Sequence, residues 1–97
     1  MKTLETIASI IRDQKPLLQS QFNVKEIGIF GSFVRGEQGE ASDLDLLVEL
    51  EKPIGIIKYV ALQNYLSDRT GERVDLVLKS ALKPRAGERI LREVVFV

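Results

Sequence analysis

The chain has 97 residues, with 14 basic and 14 acidic side chains for a formal charge of zero, and it contains neither cysteine nor histidine. Those two absences exclude disulfides, thiol nucleophiles and thiolate metal sites, and remove the commonest general base and transition-metal ligand. Any catalysis falls to carboxylates, lysines, arginines and hydroxyls, and any metal must accept oxygen ligands, as magnesium and manganese do.

The length predicts one domain over residues 1–97. The charge balance argues against nucleic acid held by bulk electrostatics. No apolar run is long enough to span a membrane, and the N-terminus lacks the layout of a signal peptide, so the expectation is a soluble, cytoplasmic protein.

Taken in chain order, Leu4, Ile7, Ala8 and Ile11 follow helical spacing and predict an amphipathic helix. Pro16 is expected to kink or restart it, with Leu17, Leu18 and Phe22 continuing the apolar side. VKEIGIF reads as a strand, Ile27 and Ile29 on one face and Gly28 and Phe30 on the other. Gly31-Ser32 ends it, and FVRGEQGEAS holds one helical turn and then a loop. DLDLLVEL is the second strand: Leu44, Leu46, Val48 and Leu50 alternate with Asp43, Asp45, Leu47 and Glu49.

Pro53 and Gly55 mark a turn. A helix follows from about Ile56 to Arg69, with Tyr59, Leu62 and Leu66 on one side and Gly71 as its stop. RVDLVLK is the third strand. Pro84 to Glu93 predicts a last helix anchored by Ile90 and Leu91, and VVFV either forms a short strand or packs on the core. A short connection favours an antiparallel pair and a crossover helix a parallel one. The expected fold is therefore α+β: a small mixed β-sheet with helices on one face.

Residues two apart on a strand share a face, about 6.6 Å apart at roughly 3.3 Å per residue. Asp43 and Asp45 thus look the same way. An antiparallel return sets them beside Gly31 and Ser32, and a parallel third strand brings Asp75 level with them. Three carboxylates that close repel one another, and divalent cations resolve the conflict. Two magnesium ions about 3.5–4 Å apart suit an in-line phosphoryl or nucleotidyl displacement. Glycine permits close backbone approach, Ser32 offers a hydroxyl and Arg35 a guanidinium fork, all suited to phosphate. Taken singly, each feature has an ordinary role: a turn for Gly-Ser, a solvated face for Asp-x-Asp, a surface acid for Asp75, an ion pair with Glu37 or Glu40 for Arg35. Their combination is what points to a holder of metal-bound nucleoside triphosphate, because aspartate has poor strand propensity.

GSFVRGEQGEASDLDLLVEL, with Gly-Ser, ten residues and then Asp-x-Asp, resembles the signature of the DNA polymerase beta-like nucleotidyltransferase superfamily. RVDLV resembles the strand that carries that superfamily's third acid. The resemblance runs from about Val24 to Val77 and is strongest to the minimal nucleotidyltransferases, or MNT domains, of bacteria and archaea. It implies the polymerase beta-like fold, triphosphate binding by Gly31 and Ser32 with Arg35 as a further ligand, two metals on Asp43 and Asp45, and Asp75 holding the catalytic metal and helping to deprotonate the attacking hydroxyl. It implies Mg2+, with Mn2+ as the substitute, and ATP as substrate. It further implies an antitoxin that moves AMP to a tyrosine of a HEPN-type toxin partner. Two other readings stay open: transfer to a small hydroxylated molecule, and a non-catalytic antitoxin that acts by binding alone. Self-association into a homo-oligomer is a further open reading.

Overall fold

A computed structural model of the chain describes residues 2–97. Its elements run α1 (Leu4–Phe22), β1 (Val24–Phe30), α2 (Ser32–Arg35), β2 (Leu44–Leu50), α3 (Gly55–Thr70), β3 (Val74–Leu78), a 3-10 turn (Lys79–Ala81), α4 (Pro84–Glu93) and β4 (Val95–Phe96). The sheet order is β3-β2-β1-β4. β1 pairs antiparallel with both β2 and β4, and β2 pairs parallel with β3. The expected mixed α+β sheet is the one observed, and the VVFV tail supplies its fourth strand.

Period-two alternation decides which face is buried. Ile27 and Ile29, Leu44, Leu46 and Val48, and Val74 and Leu76 line one face and are almost wholly buried. Ile7, Ile11 and Leu18 of α1 and Leu62 and Leu66 of α3 cover it. A fully buried aliphatic side chain of this kind contributes roughly 1.5–3 kcal/mol. Two tyrosine hydroxyls tie the layers together: Tyr59 donates to Leu76 O and Tyr65 to Gln14 Oε1. The helix ends follow their local chemistry. Thr3 Oγ1 caps α1 by accepting from Thr6 N–H (3.2 Å), and Gly71 ends α3 at φ 70°, where glycine alone is unstrained.

Two expectations meet a correction. α1 runs through Pro16 without a restart. Pro16 is exposed, so the Arg12 carbonyl it leaves without a helix partner can face water. Fully buried Ile7 and Ile11 before it and Leu18 after it hold both halves to the same sheet. Leu17, expected on the apolar side, is exposed.

Leu91 does not anchor α4. It is exposed, Ile90 is only half-buried, and the helix buries Gly87. Arginines at 85, 89 and 92 leave α4 too narrow an apolar strip to join the core. The chain leaving it turns instead to the second sheet face. A Cβ on Gly28 would point away from the core and meet Val94 Cγ2 at 2.5 Å.

Candidate active site

The ladder registers fix where the acids go. Asp45 stands opposite Phe30 of β1 and, on its other side, opposite Asp75 of β3. Asp43 precedes β2 by one residue, and the adjoining Leu44 N–H donates to Arg73 O (2.7 Å). The two strands that carry acids therefore start at one end of the sheet, which is also where β1 ends at Gly31. Asp43 and Asp75 are exposed there, and Asp45 is half-buried.

Gly31 marks a close approach. Its φ of 80° and ψ of −151° lie outside the range that side chains other than glycine adopt comfortably. A Cβ at this position would collide with Asp45 Oδ2. The turn therefore lies directly against the central carboxylate. α2 follows at once: Ser32 is its first residue, half-buried, and Arg35 its last, exposed. The loop to β2 is closed by Ser42, whose Oγ accepts from Gly39 N–H (2.8 Å).

Burial pushes the Asp45 carboxyl up to about 6, helped by the neighbouring charges of Asp75 and Asp43. Burial, and then the negative charge of Asp75, also raises the Tyr59 hydroxyl. At neutral pH the site thus stores repulsion among its own acids.

All donors at this end are oxygens, and the repulsion is one that a hard cation would neutralise, so the donor chemistry fits magnesium or manganese. Among the described residues, no three acidic side chains are already gathered closely enough to hold an ion. Asp43 is drawn elsewhere: its Oδ1 accepts from Arg73 Nε (2.5 Å), while Arg73 Nη2 donates to Ala41 O (3.0 Å).

Sequence reasoning missed two residues at this site. Arg73 was legible: once Leu44 pairs with Val74, the residue before each strand lies beside the other. Glu93 carried no local signal. Its Oε2 accepts from Gly31 N–H (2.9 Å) and its Oε1 from Arg35 Nη1 (2.6 Å). These two bonds hold its carboxyl below the usual range. Arg35 Nε also donates to Glu37 Oε1 (2.8 Å), so one of the ordinary pairings foreseen for Arg35 is present as well.

A cavity lies elsewhere, at the C-terminal ends of β2 and β3. It measures about 730 Å³ and is lined by Pro53, Ile54, Tyr59 and Leu78 among others. Its walls are mainly apolar, and none of the three aspartates reaches it. Among the described residues, no helix is long and apolar enough to cross a membrane.

The nucleotidyltransferase domain family matches this chain over residues 11–97. The chain is 50% identical over 97 residues to the protein adenylyltransferase MntA of Thermococcus cleftensis, a match covering 100% of this chain and 98% of that protein. It is similar to a solved structure assigned as a minimal nucleotidyltransferase, with a TM-score of 0.80 at 36% identity, covering 97% of this chain and 95% of the other. The fold alone extends to a toxin–antitoxin crystal structure with AMP-PNP, with a TM-score of 0.70 at 23% identity, covering 95% of this chain and 69% of that one. A glycine turn pressed against Asp45, with Asp75 opposite it on the next strand, sits on this sheet, and with these relatives the chain belongs to the nucleotidyltransferase domain family, in its minimal branch.

Proposed function

We propose that this nucleotidyltransferase moves AMP from ATP to a hydroxyl of a partner protein, and that the partner is a HEPN-type toxin which the transfer silences. The observation that carries the reading is the Asp45–Asp75 pairing at the strand ends beside Gly31. Two likenesses support the protein target. The Thermococcus relative is named a protein adenylyltransferase, and the fold neighbours include a tri-AMPylated HEPN toxin of Shewanella oneidensis in complex with an MNT antitoxin.

In this reading Gly31 and Ser32 take the triphosphate by close backbone approach and a hydroxyl, and Arg35 adds its guanidinium. Asp43, Asp45 and Asp75 are the residues that would hold magnesium. When bound, the ion supplies charge neutralisation at the phosphates and lowers the pKa of the attacking hydroxyl. The hydroxyl oxygen forms a bond to the α-phosphorus, the bond from that phosphorus to the bridging oxygen breaks, and pyrophosphate leaves. Asp75, exposed at the strand start, accepts the hydroxyl proton. The 730 Å³ cavity is lined by none of the three aspartates, and in this reading a docked protein excludes water and aims the hydroxyl.

The test is incubation with labelled ATP and magnesium, in parallel with a HEPN-type protein encoded beside the gene and with small hydroxylated acceptors, followed by mass spectrometry. AMP on a side-chain hydroxyl of the HEPN protein is the expected result. AMP on the small acceptors alone would replace the protein target. Inhibition of the toxin with no AMP transferred would replace catalysis by binding.

A further inference from the structure

Glu93 takes no part in the chemistry proposed above, yet its carboxylate meets two groups that do. Each oxygen has its own donor: the Gly31 N–H on one and Arg35 Nη1 on the other. Glu93 therefore joins the glycine turn to the arginine three residues past Ser32. Arg35 is half exposed, and a free arginine spreads over many rotamers that a ligand must freeze on arrival. Here two carboxylates hold it, Glu37 at Nε and Glu93 at Nη1. Nη2 and the second Nη1 hydrogen are the donors these two bonds leave for an incoming anion.

The fold also fixes Glu93 itself. It is the last residue of α4, and β4 begins two residues later. Gly28 pairs with Phe96 and Ile29 with Val95, while Val97 N–H donates to Ile27 O (2.9 Å) and Val97 O accepts from Lys15 Nζ (2.7 Å). An edge strand thus delivers a carboxylate to the nucleotide turn from the far end of the sequence.

We propose that Glu93 is a positioning residue for the nucleoside triphosphate: it holds Arg35 against the Gly31–Ser32 turn, so that the guanidinium meets the phosphates already oriented. This rests on the nucleotidyl-transfer reading above. Orientation set before binding spares the ligand the entropy of setting it. Glu93 touches neither the α-phosphorus nor the acceptor, so its loss weakens nucleotide binding more than it slows displacement.

The experiment is a double-mutant cycle of Glu93→Ala and Arg35→Ala, read by calorimetric ATP binding and by transfer kinetics. Glu93→Ala is expected to weaken ATP binding and raise its KM about tenfold, with kcat within about threefold, as for loss of a hydrogen bond to a charged group. In the Arg35→Ala background the same substitution should change neither value. Glu93→Gln, which presents one acceptor to two donors, should fall between. Tighter ATP binding by Glu93→Ala would overturn the proposal, because the carboxylate would then be a competitor for the phosphate donors. An undiminished loss in the Arg35→Ala background would overturn it as well, since Glu93 would then act through the Gly31 turn or the fold and not by holding Arg35. If the unaltered chain binds ATP but modifies no partner, the proposed function falls and the binding cycle still decides the role of Glu93.

Discussion

Asp45 and Asp75 stand opposite one another across the parallel β2–β3 ladder, and Phe30, the residue before Gly31, stands opposite Asp45 on the other side. One residue of slip in either ladder would turn an aspartate into the core and a leucine out to the acids. The apolar alternation of Leu44, Leu46 and Val48 forbids that slip, since all three are fully buried. The residues that build the core thereby also aim the carboxylates.

Asp45→Asn is expected to stabilise the protein in the absence of divalent cations. Folding raises the carboxyl from its ordinary 3.8 to about 6. Above about pH 6 the folded state must therefore hold a charge that the unfolded chain carries at no cost. Below pH 4 the group is protonated in both states and the difference vanishes. The gain should be about 1–2 kcal/mol at neutral pH, discounted from the full shift because Asp45 is only half-buried, and should fade between pH 6 and 4. Urea unfolding with a chelator across that range measures it. The same substitution should abolish AMP transfer. A lower stability at pH 7 would show that Asp45 serves the fold instead.

Gly31→Ala should damage both fold and site. The added methyl collides with Asp45 Oδ2 and the backbone keeps a positive φ, so the turn must move or Asp45 must swing aside. A cost of roughly 1–3 kcal/mol is expected from the strained dihedral alone. Thermal melting should show the loss, and ATP binding should fall with it. Gly36→Ala is the control: its φ is also positive, yet a Cβ there meets nothing within 4 Å. It should destabilise less and leave ATP binding in place.

Much of this was legible because it is local or periodic. The strands follow from alternation, the β2–β3 direction from the crossover helix, and the meeting of Asp43, Asp45, Asp75 and Gly31 from the two together. Pro84 and Gly71 mark a helix start and a helix stop where the structure has them. At Pro16 the local rule predicts a restart where tertiary packing keeps one helix: α1 is clamped at Ile11 and Leu18, on both sides of the proline. Glu93 was not legible at all. Its partners lie 62 and 58 residues away, and they are reached only because β4 docks on β1 and sets the end of α4 over the turn.

Pro16→Ala is expected to stabilise the chain. Alanine restores the amide that can bond the Arg12 carbonyl and relieves the ring's clash with it. Helix propensity favours alanine by about 3 kcal/mol, and the greater freedom of the unfolded chain offsets roughly 1 kcal/mol of that. Denaturant unfolding should show a net gain of about 1–2 kcal/mol. A loss would mean that α1 depends on a bend at this residue.

Arg73→Gln should make the acids easier to load with metal. Arg73 holds Asp43 Oδ1 at 2.5 Å, and both side chains are largely exposed, 73% for the arginine and 45% for the aspartate. An exposed pair of this kind contributes at most about 1 kcal/mol, so its loss should change the stability of the metal-free protein little. Any ion that recruits Asp43 must first break the pair. Freeing the carboxylate should therefore lower the dissociation constant for Mn2+ by up to about fivefold, the factor that corresponds to about 1 kcal/mol. Removing a positive charge beside three carboxylates acts in the same direction. Titration of the chain alone with Mn2+, followed by electron paramagnetic resonance, measures this without reference to transfer. High salt should narrow the gap between variant and parent, because exposed pairs are screened. Weaker Mn2+ binding by the variant would mean that Arg73 orients Asp43 for the ion, and the pair would then belong to the metal site.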